Sequence, residues 1–196
     1  MSIHIGNPGL FGLDHLRRGI LFPLLVILAF GTKAAAQVYL TPEQALSKLM
    51  PEAETVITEQ KSLTPESAKQ LEETLGKRVK DREYTFLIGM KQEKPTGYAT
   101  ILDMVGKERP ITFMVVINPD GTVRAAEVLV YRESQGSEIR STRFMRQFER
   151  KTIRSLLRPG RDIDVITGAT LSSRSTAYVV KKALALVNLF YGIGGP

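Results

Sequence analysis

Residues 111–131 decide the fold of this chain, and they read Ile111-Thr-Phe-Met-Val-Val-Ile117, Asn118-Pro119-Asp120-Gly121 and Thr122-Val-Arg-Ala-Ala-Glu-Val-Leu-Val-Tyr131. The first and third runs are rich in β-branched and aromatic residues, which favour strands. The four residues between them are turn formers of the kind that close a tight hairpin. The sequence therefore predicts two antiparallel strands joined by this turn.

Two runs of the same character precede the hairpin. They cover Tyr84–Met90 and Thr96–Met104, with turn-forming residues between them. Consecutive strands joined by short turns usually lie side by side in a sheet. We therefore expect a four-stranded antiparallel meander.

Two helices are predicted before the strands. Thr41-Pro42-Glu43 and Thr64-Pro65-Glu66 each place a capping hydroxyl before a proline at the first helical position. The first helix should end before Pro51. The second should run to Leu75 and stop at Gly76, since glycine is typical after a helix C-terminus.

Three elements are predicted after the strands. The first is an arginine-rich helix within residues 140–158, whose inward-facing apolar residues are Phe144, Phe148 and Ile153. The second is a short strand over residues 162–166. The third is a helix from about Ser172 to Phe190, with an apolar stripe at helical spacing through Ala177, Val180, Leu184, Val187 and Tyr191.

This order of elements predicts an α+β fold, an antiparallel sheet meander with helices covering one face. We expect three parts along the chain. They are a leader over residues 1–36, an N-terminal helical segment over residues 37–80, and a domain over residues 81–196.

The composition excludes several kinds of chemistry. The 196 residues include no Cys, and the two histidines, His4 and His15, both fall in the leader. Disulfides, Cys/His zinc sites, thiolate-held iron–sulfur clusters, c-type haem attachment and a cysteine nucleophile are therefore excluded, as is a histidine base outside the leader. No metal site or catalytic set is predicted, so chemistry must come from hydroxyls, carboxylates, cations, the backbone or a bound cofactor.

The first 36 residues are typical of an export signal. Arg17 and Arg18 precede an apolar run over residues 19–30, and the small residues Ala34 and Ala36 suit cleavage after Ala36. The run is shorter than the roughly 20 residues that span a membrane, but retention as an N-terminal anchor in the inner membrane stays open. In either case we expect the rest of the chain to lie outside the cytoplasm, for example in the periplasm.

Positive charge is concentrated in one segment. The formal net charge is +7, and cations are densest between Arg140 and Arg158. The segment is either a solvated helix face or a surface that attracts phosphates, an anionic membrane or an acidic protein. Its two aromatic residues have a spacing that suits a core face and not base stacking, so nucleic acid is not expected as a partner.

The segment Asp164-Val-Ile-Thr167-Gly168-Ala169-Thr170 separates the short strand from the final helix. Gly168 and Ala169 let the backbone approach a ligand, and the Thr170 hydroxyl falls where the helix begins. Unpaired N–H groups and the positive end of the helix dipole favour a phosphate there. In the structural alternative, the hydroxyl residues cap the helix and Asp164 ends a strand.

This segment resembles the flavinylation motif, Asp-x-x-Thr-Gly-Ala-Thr, of the FMN-binding domain. That domain is found in subunits of the sodium-translocating NADH:quinone reductase, in the ferredoxin-linked Rnf complex and in many exported redox proteins. The resemblance implies an FMN-binding domain over residues 81–196, with FMN joined to Thr170 by a phosphoester bond. It also implies a flavin transferase as partner, which uses FAD and a divalent cation during attachment. The implied cofactor-binding residues of the motif are Thr170, Asp164, Thr167, Gly168 and Ala169.

The resemblance extends upstream to the loop Glu133-Ser134-Gln135-Gly136, which is similar to the family's Glu-Thr-Pro-Gly-type loop. It implies cofactor contacts from Glu133, Ser134 and Gly136. Gln135 stands where proline is common in pump subunits, which favours a stand-alone carrier. From the residues alone, Glu133 either hydrogen-bonds the flavin ring or buried backbone, or is simply solvated.

Three functions are consistent with these features. The first is an exported electron carrier that relays electrons between a membrane quinone or dehydrogenase complex, or cytochromes, and extracytoplasmic acceptors; such a protein is a redox carrier and not a stand-alone enzyme. The second is a membrane-anchored flavin subunit of an ion-translocating complex of the Rnf or NADH:quinone reductase type. The third is an exported binding module without flavin.

Overall fold

A six-stranded, fully antiparallel sheet forms the centre of the fold. The computed structural model describes residues 36–195, so nearly all of the predicted leader lies outside the described residues. The strands are β1 (Gln37–Val38), β2 (Thr55–Ser62), β3 (Glu83–Lys91), β4 (Lys94–Val105), β5 (Pro110–Ile117) and β6 (Val123–Tyr131). Their order in the sheet is β1-β6-β5-β4-β3-β2, a meander to which the short β1 is added at the β6 edge.

The helices begin and end close to the predicted residues. They are α1 (Pro42–Leu49), α2 (Pro65–Leu75), α3 (Thr142–Arg146) and α4 (Thr170–Tyr191), and a 3₁₀ turn, Ser137–Arg140, precedes α3. The hydroxyls of Thr41 and Thr64 accept the capping hydrogen bonds of α1 and α2, and Gly76 ends α2 in the left-handed conformation. The α+β class, the four-stranded meander and the two capped helix starts are thereby confirmed.

The helical segment predicted over residues 37–80 needs a correction. An eight-residue strand, β2, lies between α1 and α2 and pairs with β3 along its whole length. Every residue of β2 is exposed or only partly buried, and Val56 and Ile57 are both more than two-fifths exposed. Because this edge strand has no buried face, its sequence lacks the regular alternation of apolar and polar residues that marks a strand.

The arginine-rich segment is not one long helix, contrary to the prediction. Helix α3 spans five residues. The chain then turns at Arg150, which has a φ of 64°, and Arg150 and Lys151 exchange backbone hydrogen bonds with Val123 at the start of β6. After α3 the chain therefore pairs with the start of β6 and does not continue as a helix. The apolar side chains still face inward, as predicted: Phe144 and Phe148 are buried in edge-to-face contact, and Ile153 is partly buried.

The short strand predicted over residues 162–166 is also absent from the described structure. A single bridge between Pro159 and Ile163 is present there. Asp162 instead closes a loop, since its carboxylate accepts the backbone N–H groups of Leu157 and Arg158. Backbone groups are thus satisfied by a side chain and not by a sheet ladder.

Helices cover both faces of the sheet, whereas the sequence predicted one. α2 and α4 pack on the face that carries the larger core, which includes Phe86, Phe113 and Val115. α1 packs on the opposite face, against Met114 and Leu129. The predicted stripe of α4 is confirmed, because Ala177, Val180, Leu184 and Val187 are buried and Tyr191 is partly buried.

Helix α4 begins two residues earlier than predicted, at Thr170, which makes it 22 residues long. Among residues 36–195, no helix combines the length and apolar character needed to cross a membrane.

A matched pair of leucines on α4 tests its packing. Leu184 is 2% exposed, whereas Leu171 is 47% exposed. Leu184→Ala should lower the free energy of unfolding by about 2–5 kcal/mol because it leaves a cavity, and Leu171→Ala by less than about 1 kcal/mol. Urea denaturation of both variants measures the difference, and equal losses would contradict the packing of α4 described above.

Candidate functional site

The candidate site lies at the start of α4. The Ala169 N–H donates to the Ile166 carbonyl at 2.9 Å, which closes a turn with Gly168 at a φ of 82°. This turn reverses the chain and ends with buried Ala169 as the N-cap of α4. Thr170 is the first helical residue, and it is exposed.

No side chain caps α4, so the capping alternative for its hydroxyl residues is wrong. Ser173 acts differently: its hydroxyl donates to the Ala169 carbonyl at 2.9 Å and accepts the Ile166 N–H at 3.3 Å. The Ser173 side chain therefore links the loop before α4 to the first turn of the helix. The N–H groups at the N-terminus of α4 stay uncapped by side chains and carry the positive end of the helix dipole.

A cavity of about 250 Å³ opens beside this helix start. Its lining combines three pieces of chain: the first turn of α4, the loop after β6 and the turn between β4 and β5. The lining residues are Lys107, Glu133, Ser134, Gln135, Gly168, Ala169, Thr170, Leu171 and Ser172.

Glu133 organises one wall of this cavity. Its Oε1 accepts the backbone N–H groups of Lys107, Glu108 and Arg109 at 2.5, 2.7 and 2.9 Å. Burial raises the pKa of Glu133, but the three backbone donors and the nearby Arg109 outweigh burial, so its pKa lies below the ordinary value. The sequence allowed Glu133 to bond the flavin ring, to bond backbone or to be solvated. The structure shows that it bonds backbone.

Gly136 allows the loop after β6 to pack closely against the first turn of α4. Its φ is 89°, and a Cβ there would lie 2.9 Å from the Tyr131 hydroxyl, 3.0 Å from Ser172 Oγ and 3.3 Å from Ala169 Cβ. The buried Tyr131 hydroxyl donates to the Gln135 carbonyl and lies 3.4 Å from Ser172 Oγ. Glycine is therefore required for close approach as well as for its backbone conformation.

A comparison with known families bears on what this region of the chain binds. A family model described as FMN-binding domain matches residues 106–185. Over these residues the chain matches the FMN-binding domain family. Among curated proteins, the comparison gives no match. The matched range of the FMN-binding domain begins at the turn between β4 and β5 and ends within α4, so it includes every residue that lines the cavity.

The cavity of this FMN-binding domain fits the phosphate end of FMN. Uncapped N–H groups and the Thr170 hydroxyl offer donors to a phosphate, and Leu171 adds a half-exposed apolar surface. A volume of about 250 Å³ is below the roughly 300–1,000 Å³ of pockets that enclose a ligand. The flavin is therefore expected to be only partly enclosed.

Not every predicted site residue lies at this cavity. Thr170, Gly168, Ala169, Glu133 and Ser134 line it, and Gly136 packs behind it. Thr167 is exposed in the turn before it.

Asp164 is exposed and lies at a second cavity of about 250 Å³, which is bounded by Arg143 and Gln147. Its backbone N–H donates to Gln147 Oε1 at 2.7 Å. The motif thus spans two neighbouring surfaces of the FMN-binding domain.

Sequence reasoning missed Lys107, Gln135, Leu171 and Ser172 as lining residues. Lys107 follows the end of β4, and the Glu133 loop follows the end of β6. In an antiparallel meander, alternate strands end at the same edge of the sheet. The register of the predicted strands was therefore the signal that could have placed Lys107 beside Glu133.

A larger cavity of about 540 Å³ lies between α1, α3 and β6. Three of its charged side chains are engaged, since Lys48 pairs with Glu127 and the Arg140 guanidinium lies 3.2 Å from the centre of the Tyr39 ring. It contains no residue of the flavinylation motif. The smaller cavity at the start of α4 is therefore the candidate site.

The bonds of Glu133 predict a pH-dependent contribution to stability. Glu133→Gln should lower the free energy of unfolding at pH 7 by about 1–2 kcal/mol, because charge-assisted bonds to three N–H groups are weakened. The folded-state pKa is below the unfolded value of about 4.3, so this contribution is present above pH about 4.3 and is lost as the pH falls through the folded-state pKa.

Urea denaturation of parent and variant between pH 3 and 8 measures this difference. The exposed neighbour Glu108 gives the control, since Glu108→Gln should change stability little at any pH. A parent-to-variant difference for Glu133→Gln that grows toward low pH would contradict the assignment.

Proposed function

We propose that this protein is an exported electron-transfer flavoprotein that carries FMN on Thr170 through a phosphoester bond. The observation that carries the proposal is the placement of an exposed Thr170 at an uncapped helix start, in a cavity of an FMN-binding domain. A covalent bond fixes the cofactor where a small, open cavity and the lack of a flavin supply outside the cytoplasm would not retain it.

Attachment requires a second protein. The Thr170 hydroxyl oxygen bonds to the flavin-side phosphorus of FAD, the bond between the two phosphates breaks, AMP leaves, and the hydroxyl proton is released. A flavin transferase with a divalent cation performs this step in the proteins that the motif resembles. The exposure of Thr170 supports the proposal, because a transferase can reach this hydroxyl on the folded domain.

Each residue around Thr170 has a role in holding the cofactor. The uncapped N–H groups of α4 hold the phosphate, and Leu171 gives the flavin an apolar contact. FMN itself supplies one- and two-electron transfer. The chain has no Cys and does not provide such transfer from its own side chains. The role proposed for the protein is that of a redox carrier.

The expected partners follow from location and charge. Export by the N-terminal leader places the domain where a membrane quinone or dehydrogenase complex, or cytochromes, exchange electrons with it. Exposed cations between the 3₁₀ turn and the loop before α4 support an acidic redox partner or an anionic membrane surface. These exposed residues are Arg140, Arg143, Arg146, Arg150, Arg154 and Arg158.

Thr170→Ala tests the attachment residue. After co-expression with a flavin transferase, the parent should be yellow, fluoresce in a denaturing gel and gain the mass of FMN minus water, whereas Thr170→Ala should show none of these. Thr170→Ser should keep the bond because it keeps the hydroxyl. Thr58→Ala, which removes an exposed hydroxyl on β2 outside the motif, should load normally; a parent that stays colourless would favour a binding module without flavin.

Asp164→Ala tests whether the second surface of the motif is needed for attachment. Asp164 is exposed, so its loss should leave the folded domain intact while loading falls by at least about tenfold. Flavin fluorescence per mole of protein gives the loading, and circular dichroism gives the fold. Normal loading of Asp164→Ala would assign Asp164 to structure alone.

A further inference from the structure

We propose that Lys107, outside the flavinylation motif, binds the FMN phosphate, and that Glu133 positions it. This inference rests on the proposed function, because it concerns the same cavity. Lys107 lies in the turn between β4 and β5, more than sixty residues before Thr170 in the sequence, yet both line one cavity.

The turn that carries Lys107 is held in one conformation. Three successive N–H groups, from Lys107 to Arg109, point at one oxygen of Glu133. Consecutive N–H groups directed at a single anion form a backbone nest. A hairpin turn is otherwise among the more mobile parts of a sheet, so Glu133 fixes the backbone from which the Lys107 side chain extends.

Gly106 makes this approach of the carboxylate sterically feasible. A Cβ at Gly106 would lie 2.8 Å from Glu133 Oε1 and 2.9 Å from Ile111 Cδ1. A side chain at this position would push the carboxylate out of the nest. The sequence thus supplies glycine where Glu133 must come closest to the turn.

The ammonium group of Lys107 is available for an anion. It lies 3.7 Å from the Glu108 carboxylate, and the two side chains are 67% and 68% exposed. Such an exposed pair contributes little and does not compete strongly with a phosphate.

The cavity also needs a cation. Glu133 brings a negative charge to its wall, which would repel a phosphate. Among the residues that line the cavity, Lys107 is the one with a positive charge. A salt bridge from Lys107 to the phosphate therefore adds to the N–H groups of α4 and offsets the charge of Glu133.

Free flavins test the contact without covalent attachment. Protein made without transferase is titrated with FMN and with riboflavin, which lacks the phosphate, and quenching of flavin fluorescence gives both affinities. Lys107→Gln should weaken FMN binding about tenfold and leave riboflavin binding unchanged. Lys107→Arg should stay within about twofold of the parent, and Lys94→Gln, at the opposite end of β4, should match the parent. FMN affinity unchanged in Lys107→Gln would overturn the proposal.

The same titration tests whether Glu133 positions Lys107 or only maintains the fold. Glu133→Ala should weaken FMN binding and spare riboflavin binding, because the loss of the anchored turn and of the position of Lys107 outweighs the removal of one repelling charge. Equal loss of both affinities would show that Glu133 only maintains the fold, and would overturn its role as a positioning residue.

A second measurement uses the covalently loaded protein. Loading should raise the Tm of the parent, and the difference between loaded and unloaded forms of each variant removes any effect of the substitution on the fold alone. Lys107→Gln should lose at least about half of this rise, whereas Lys94→Gln should keep all of it. A full rise in Lys107→Gln would overturn the role of Lys107 alone, whereas a parent that neither loads nor binds FMN would overturn the proposed function itself.

Discussion

The site depends on the contact between the loop after β6 and the first turn of α4. Gly136 comes so close to Tyr131, Ser172 and Ala169 that a larger residue would force these side chains to shift, and its φ of 89° also favours glycine. Because Tyr131 ends β6 and Ser172 lies in α4, this contact fixes the start of the helix relative to the sheet. Everything proposed for Thr170 follows from it: the uncapped N–H groups, the exposed hydroxyl and the cavity all require the helix to begin at this place.

The chain and its cofactor divide the work. Residues 37–196 contain neither Cys nor His, so in the proposed function the chain contributes position and charge, while redox chemistry belongs to FMN. The small volume of the cavity agrees with this division, because a partly enclosed flavin can exchange electrons with a partner at the surface. In the proposed function, a covalent bond takes over the task that a deep pocket performs in other flavoproteins.

Local signals in the sequence predicted much of the fold. The hairpin turn at Asn118–Gly121, the caps Thr41 and Thr64 and the stripe of α4 depend on neighbouring residues, and all three were confirmed. The edge strand β2 and the broken arginine-rich helix were missed, because each is determined by pairing with a distant strand. The same reason explains why only part of the site could be predicted. The motif identified Thr170, but the nest around Glu133 joins residues about 25 positions apart.

The most direct test of the account is to locate the flavin on the chain. Trypsin should release residues 162–174 as one peptide, which contains both Thr167 and Thr170. Tandem mass spectrometry of this peptide, taken from protein co-expressed with a flavin transferase, should place the mass of FMN minus water on Thr170. Fragment ions that place it on Thr167 or on a serine, or a peptide without flavin, would contradict the account.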